Sequence, residues 1–142
     1  NPHACIGADV IVGFPGESED DFLDTYKFIN DLDISYLHVF TYSERVDTDA
    51  VSFKDSVEKN KRIERSKILR GLSDKKKRSF YKKYINTNRD VLFETMKNGI
   101  LNGHTDNYIK VRVNSPVDFI NTIHPTNLIN IEGSGVQGQL LG

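Results

Sequence analysis

The sequence predicts an α/β segment followed by an all-β one, and three observations carry that prediction. Gly7 to Phe22, GADVIVGFPGESEDDF, reads as strand, sharp turn and helix start, and a second strand follows at Tyr36–Thr41. A long Lys/Arg-rich helical stretch comes next, reaching about Ile85. Beyond Asn86 the apolar period shortens to that of strands, with turn chemistry between short runs. A βαβ unit, a connecting helix and a small antiparallel barrel are therefore expected, with boundaries at 1–86 and 87–142.

Each element has a local reason. Val10, Ile11 and Val12 form a continuous β-branched run, the pattern of a strand buried on both faces. Gly13-Phe14-Pro15-Gly16 ends it, because Gly admits unusual dihedrals and Pro cannot continue a ladder. Ser18 stands at the N-cap position, and Glu19, Asp20 and Asp21 place negative charge where the helix dipole favours it. Phe22, Tyr26 and Ile29, with Leu23 alongside, give that helix one apolar face. Strand, helix and strand over this length imply parallel pairing. The ends Gly13-Phe14-Pro15 and Tyr42-Ser43 then share one rim, where parallel α/β proteins place ligands. Residues alone leave two readings of the Gly13–Gly16 turn: a tight connection, or a ligand loop.

Asp55 with Glu58 offers a cap-like start to the long helix, and Ile68, Leu69, Leu72, Phe80, Tyr81, Tyr84 and Ile85 mark its buried stripe. Gly71 and the Ser73–Arg78 run soften its middle, so one helix or a bent pair both fit. Strands are then expected at Val91–Phe93, Tyr108–Val113, Thr122–Ile123 and Leu128–Ile131. Turns are expected at Asn98-Gly99, Asn102-Gly103 and Gly133-Ser134-Gly135, with Pro125 at a bend or edge. Alternation over Ile109–Val113 puts three apolar residues on one face and Lys110 and Arg112 on the other.

Composition narrows the classes. The chain has 142 residues, 37% hydrophobic and 27% charged, with no apolar run near the ~20 residues that span a bilayer. Its single cysteine, Cys5, excludes an internal disulfide framework and a cysteine-only metal or iron–sulfur site, and fits a reducing cytoplasm. The four histidines show no ligand spacing, so no metal site and no catalytic residue is assigned. The chain opens without Met or a signal-peptide pattern, which suggests a segment of something longer. Residues 1–53 hold eleven acidic and two basic groups, whereas 54–89 hold fourteen basic and four acidic. Such blocks imply a polyanion-binding face or two segments that pack on each other.

DVIVGFPGE, the acidic helix start and HVFTYSERVDTDAV resemble the radical S-adenosylmethionine (SAM) methylthiotransferases, the MiaB/RimO/MtaB group. RSFYKKYI and GHTDNYIKVRV continue the resemblance into a C-terminal TRAM domain, and the wording around Tyr42–Arg45 and Gly103–Tyr108 is most similar to the MtaB branch. The resemblance implies the C-terminal part of a radical SAM partial (β/α) barrel with a connecting helix, then a TRAM RNA-binding β-barrel. It implies a transferase that adds a methylthio group to C2 of N6-threonylcarbamoyladenosine beside the tRNA anticodon. SAM and two 4Fe–4S clusters are the implied cofactors; the cluster cysteines would lie upstream, so this segment alone is expected to be inactive. Val12, Gly13, Phe14 and Pro15 fall at the strand edge that supports the adenine of SAM, and Tyr42 and Ser43 at the next strand end. Arg89, Lys97, Asn107, Tyr108, Lys110 and Arg112 are the implied RNA contacts, with an anticodon stem-loop as partner and neither DNA nor membrane. Glu44 and Asp47 depart from the family, where Pro and Gly are frequent. Two other readings stand beside this one: a stand-alone RNA-binding module, and a methylthiotransferase acting on a ribosomal protein. An incomplete barrel would also expose a sheet edge, through which two copies could pair.

Overall fold

A computed structural model describes all 142 residues, which divide into two compact units, residues 6–77 and residues 1–5 with 78–142. In the first unit, β1 (Gly7–Val12) leads through α1 (Glu19–Asp31) to β2 (Tyr36–Thr41). The two strands pair in parallel, from Gly7 opposite Tyr36 to Val12 opposite Thr41. Ser18 caps α1 as the sequence requires. Its hydroxyl accepts from the Asp21 N–H at 3.1 Å while the Asp21 carboxylate accepts from the Ser18 N–H at 2.9 Å.

The core of this unit joins Val12, Leu37 and Val39 to Phe22 and Ile29 of α1 and to Leu69 and Leu72 of a second helix, α2 (Lys59–Lys82). Only one face of the sheet is covered. Ile11 is 58% and Phe40 52% exposed, so the β-branched run of β1 is not buried on both sides. The reason is geometric: with side chains alternating along a strand, the helices cover Val10 and Val12 and leave Ile11 on the open face. At the outer edge of β2, the Ser73 hydroxyl accepts from Leu37 N–H (2.8 Å) and donates to Leu37 C=O (3.0 Å).

Helix α2 is continuous through Gly71. Its start differs from expectation. Asp55 lies outside the helix at φ 68°, its carbonyl accepting from Gly16 N–H, and Glu58 C=O accepts the first helical bond from Arg62 N–H. Ile68 is 41% exposed and leaves the expected stripe, whereas Arg62, Arg65, Ser66 and Ser73 are buried. The cationic composition of α2 had masked a polar buried face.

The second unit is a closed five-stranded barrel of β3 (Asn88–Lys97), β4 (Ile100–Thr105), β5 (Lys110–Asn114), β6 (Thr122–Glu132) and β7 (Gly135–Leu140), in the order β3-β4-β5-β7-β6. Pairing of β3 with β6 closes it, and β5 with β7 is parallel, so the barrel is not wholly antiparallel as expected. This is the arrangement of a five-stranded Greek-key barrel of the oligonucleotide-binding type. Val91, Phe93, Leu101, Ile109, Val111, Leu128 and Val136 are fully buried inside it. Phe80, Tyr81 and Tyr84 pack on that core.

Four strand assignments change. Asn102-Gly103 is not a turn but lies within β4, where a Cβ on Gly103 would sit 2.2 Å from the Leu92 carbonyl oxygen. Close approach of two backbones, not turn geometry, selects that glycine. Tyr108 is outside β5, at φ 65° in the preceding turn. The runs at Thr122 and Leu128 are one strand, β6, through Pro125. Proline costs the β3–β6 ladder nothing, because the Pro125 carbonyl accepts from Leu141 N–H and its ring nitrogen faces the same side, past the end of β7. Strand β7, with two glycines and two glutamines in GVQGQL, carries too little apolar pattern to be read in advance.

Candidate functional sites: a strand-end rim and a barrel face

The rim of the α/β unit is built from the turn after β1 and the loop after β2. Tyr42 N–H donates to Val12 C=O at 2.9 Å, which carries the parallel pairing one residue past the strands. Gly13 takes φ 76°, and its N–H donates to the Glu17 carboxylate at 3.1 Å. A Cβ on Gly13 would lie 2.4 Å from Arg62 Cγ, so this glycine is closed on its side-chain side by α2. Val12 is 1% exposed and belongs to the core. Phe14 stands out at 43% exposure, edge-on to Tyr42 (5.3 Å) and Phe53 (6.1 Å). Pro15 is half-buried, Ser43 is exposed, and the Tyr42 hydroxyl is buried without a hydrogen-bond partner.

Two arginines that motif reading missed hold this rim. Arg62 donates to the carbonyls of Val57 (2.7 Å) and Tyr42 (3.1 Å), to the Ser56 hydroxyl (2.8 Å) and to the Glu44 carboxylate (2.6 Å), with its guanidinium 5.3 Å from the Tyr42 ring. Arg65 donates to the carbonyl and carboxylate of Glu17 at 3.0 and 2.6 Å, and to Glu19 at 3.1 Å. The Arg62 bond holds the Glu44 carboxyl at about 2. Bonds from Arg65 and Lys61 lower Glu19 as well. The signal available in advance was the charge complementarity between the acidic rim and α2, which had left two readings open. For Lys61, Arg62 and Arg65 the cations meet the chain's own carboxylates.

On the barrel, the six implied RNA contacts separate. Lys110 and Arg112 project outward from β5, half-buried, between the buried Ile109, Val111 and Val113. Tyr108 is 73% exposed, its ring 5.8 Å from that of His104, and His104 is the register partner of Lys110. His104 Nδ1 lies 2.6 Å from Glu94. Lys97 is exposed at the Asn98-Gly99 hairpin, whose residues have φ 52° and 75°. Arg89 is engaged elsewhere, 3.3 Å from Asp106 and 4.7 Å over the Tyr84 ring. Asn107 is buried, its carbonyl oxygen accepting from the Thr105 hydroxyl at 2.6 Å, and so braces the turn. Lys110, Tyr108 and Arg112 thus form one open patch, with Lys97, Arg89 and Asn107 apart from it. No helix is long and apolar enough to cross a membrane.

A parallel strand-end rim and a closed five-stranded barrel stand in this one chain, and known proteins share its sequence over most of its length. No family model matches the sequence. The chain is 35% identical, over 99% of its length, to the threonylcarbamoyladenosine tRNA methylthiotransferase MtaB of Bacillus subtilis, and covers 32% of that protein. It is 40% identical over 78% of its length to MtaB of Aquifex aeolicus, covering 26%. With the tRNA-2-methylthio-N(6)-dimethylallyladenosine synthase of Endomicrobium trichonymphae it shares 34% identity over 84% of its length, covering 28%. The chain belongs to the MtaB/MiaB-type methylthiotransferases, and spans about a third of the length of the relatives it matches.

Proposed function

We propose that this chain is the C-terminal part of a radical SAM methylthiotransferase that adds a methylthio group to C2 of N6-threonylcarbamoyladenosine beside the tRNA anticodon. The observation that carries the reading is the match to MtaB proteins, over 99% of this chain in one and 78% in another, since they are named for that nucleoside. In this reading, residues 1–86 complete a radical SAM partial barrel with its connecting helix, and 87–142 form a TRAM domain that holds the anticodon stem-loop. The whole enzyme would work in the cytoplasm.

The residues fit SAM better than they fit a cluster. Phe14, with Ile11 and Phe40 on the open sheet face, offers apolar surface to an adenine ring, and the unpartnered Tyr42 hydroxyl offers a hydrogen bond. Val12 and Gly13 would contribute backbone alone. Bound SAM would supply one-electron radical chemistry, and the part of this chain would be to seat its adenine. One cysteine does not make the thiolate set of a 4Fe–4S cluster, so no step is assigned to a cluster on these residues. This segment by itself is therefore expected to be inactive.

Nucleoside mass spectrometry of tRNA tests the assignment. Deleting the intact gene should abolish the 2-methylthio form of threonylcarbamoyladenosine, and restoring the gene should return it. Persistence of that nucleoside in the deletion strain overturns the reading. Loss of the dimethylallyl counterpart instead would favour the activity for which the second group of relatives is named.

A further inference from the structure

We propose that the cleft between β5 and β7 seats one unstacked RNA base, preferring adenine, and reads its edge with side-chain amides. The proposal rests on the RNA-binding reading of the barrel and names what that face recognises. Strands β5 and β7 share only two registered pairs, Val111 with Val136 and Arg112 with Gln137. Past them the strands part, and a cavity of about 380 Å³ opens there, with Asn114, Gln137 and Gln139 on its walls and Pro116, Ile129 and Leu140 as apolar lining. None of its lining residues is ionisable.

The register extends this chemistry across the barrel. Asn102 pairs with Arg112, Arg112 with Gln137, and Gln137 with Asn130, which sets three amides and one guanidinium in a row over four strands. Arg112 makes no ion pair, and its Nε is buried without a hydrogen-bond partner. A buried donor left unmade is costly, and a ligand acceptor at this row would satisfy it.

The residue types select the ligand. Phosphate contact needs cations, whereas an uncharged amide presents an acceptor beside a donor. That pair matches the amino group and ring nitrogen of adenine, and Asn or Gln is its usual bidentate partner. Unpaired RNA bases are splayed out and bonded on these edges, and an apolar wall accepts the ring face. In oligonucleotide-binding barrels the second and third strands, here β4 and β5, form the binding face, and the cleft opens at the β5 edge of that face, beside Asn114. Lys110 and Arg112 would hold the backbone while the amides read the base.

Fluorescence anisotropy of the 142-residue chain with short labelled RNA homopolymers tests this. The chain should bind oligo(A) about tenfold tighter than oligo(U). Asn114→Ala with Gln139→Ala should bring the two within about twofold and leave the salt slope unchanged. Lys110→Ala should weaken both alike and lower that slope by about one. Equal binding of both homopolymers by the unmodified chain overturns the base cleft while the RNA-binding reading stands. No salt-sensitive binding of either overturns both. Should the double variant fail to fold, side-chain amide resonances decide on the unmodified chain: those of Asn114, Gln137 and Gln139 should shift with oligo(A), and unmoved resonances overturn the proposal.

Discussion

The two units use charge in opposite ways. The α/β unit turns two of its arginines inward: Arg62 and Arg65 are each 4% exposed and bind carboxylates and carbonyls of the same unit. Lys76 donates to the carbonyls of Asn30 and Leu32, at the C-terminal end of α1 where the helix dipole favours a cation. The barrel is closed on an apolar core and leaves Lys110 and Arg112 outside without ion pairs. The number of basic residues is thus a poor guide to where a polyanion would sit. The region with the most basic residues has its key cations occupied, and the region with few has them open.

This contrast breaks first in the cores. Phe93→Ala removes a fully buried ring from the closed barrel and should cost about 4 kcal/mol, read as lost hydrogen-exchange protection in residues 78–142. Arg65→Met should cost roughly 3 kcal/mol in the α/β unit, because it strands the mostly buried Glu17 carboxylate. The signature that separates them is location. Protection in residues 6–77 should fall with Arg65→Met and hold with Phe93→Ala. Loss of protection everywhere in either variant would show that the units do not differ as described.

Acid provides a milder test. With its carboxyl held at about 2 by Arg62, against an ordinary 4.5, Glu44 contributes stability that is complete above pH 4.5. That contribution is lost progressively as the pH falls from about 4.5 towards 2. Glu19 and Asp21, lowered by Arg65 and by Ser18, act in the same direction. The melting temperature of the α/β unit should therefore drop over that window, and Glu44→Gln should flatten part of the drop. An unchanged profile in Glu44→Gln would show that the Arg62 bond does not stabilise the fold.

How far the sequence exposed this organisation depends on the physics at each position. The βαβ unit was legible because its signals are local: a β-branched run, a capping serine and an acidic first turn lie within sixteen residues, Gly7 to Phe22. The barrel core was legible at Ile109–Val113, where alternation is strict. Strand β7 and the β5–β7 parallel pairing were not, since GVQGQL is defined by partners far along the chain. Gly103 was misread for the same reason, a single residue whose constraint is the Leu92 backbone across the ladder. At the rim, the motif exposed Phe14 and Tyr42 but not Arg62 and Arg65, because charge on a helix ordinarily means solvent. The two departures from the family pattern are resolved by geometry. Glu44 is the carboxylate Arg62 binds, and Asp47 sits at φ 66°, a conformation in which glycine is the usual residue.

Asp47 gives the finest comparison, between a position set by backbone conformation and one set by charge. Asp tolerates the left-handed region better than most residues, so the strain here is small. Asp47→Gly removes that strain but adds freedom to the unfolded chain, two effects of about 0.5–1 kcal/mol with opposite sign. Its stability should therefore stay within about 0.5 kcal/mol of the parent. Asp47→Ala keeps the side-chain carbon at positive φ without the local hydrogen bonding of Asp, and should cost about 1 kcal/mol. Urea titration of the three proteins separates the causes. Gly equal to parent with Ala below it means the backbone selects this residue; Gly and Ala equally destabilised would mean the Asp47 carboxylate itself holds the loop.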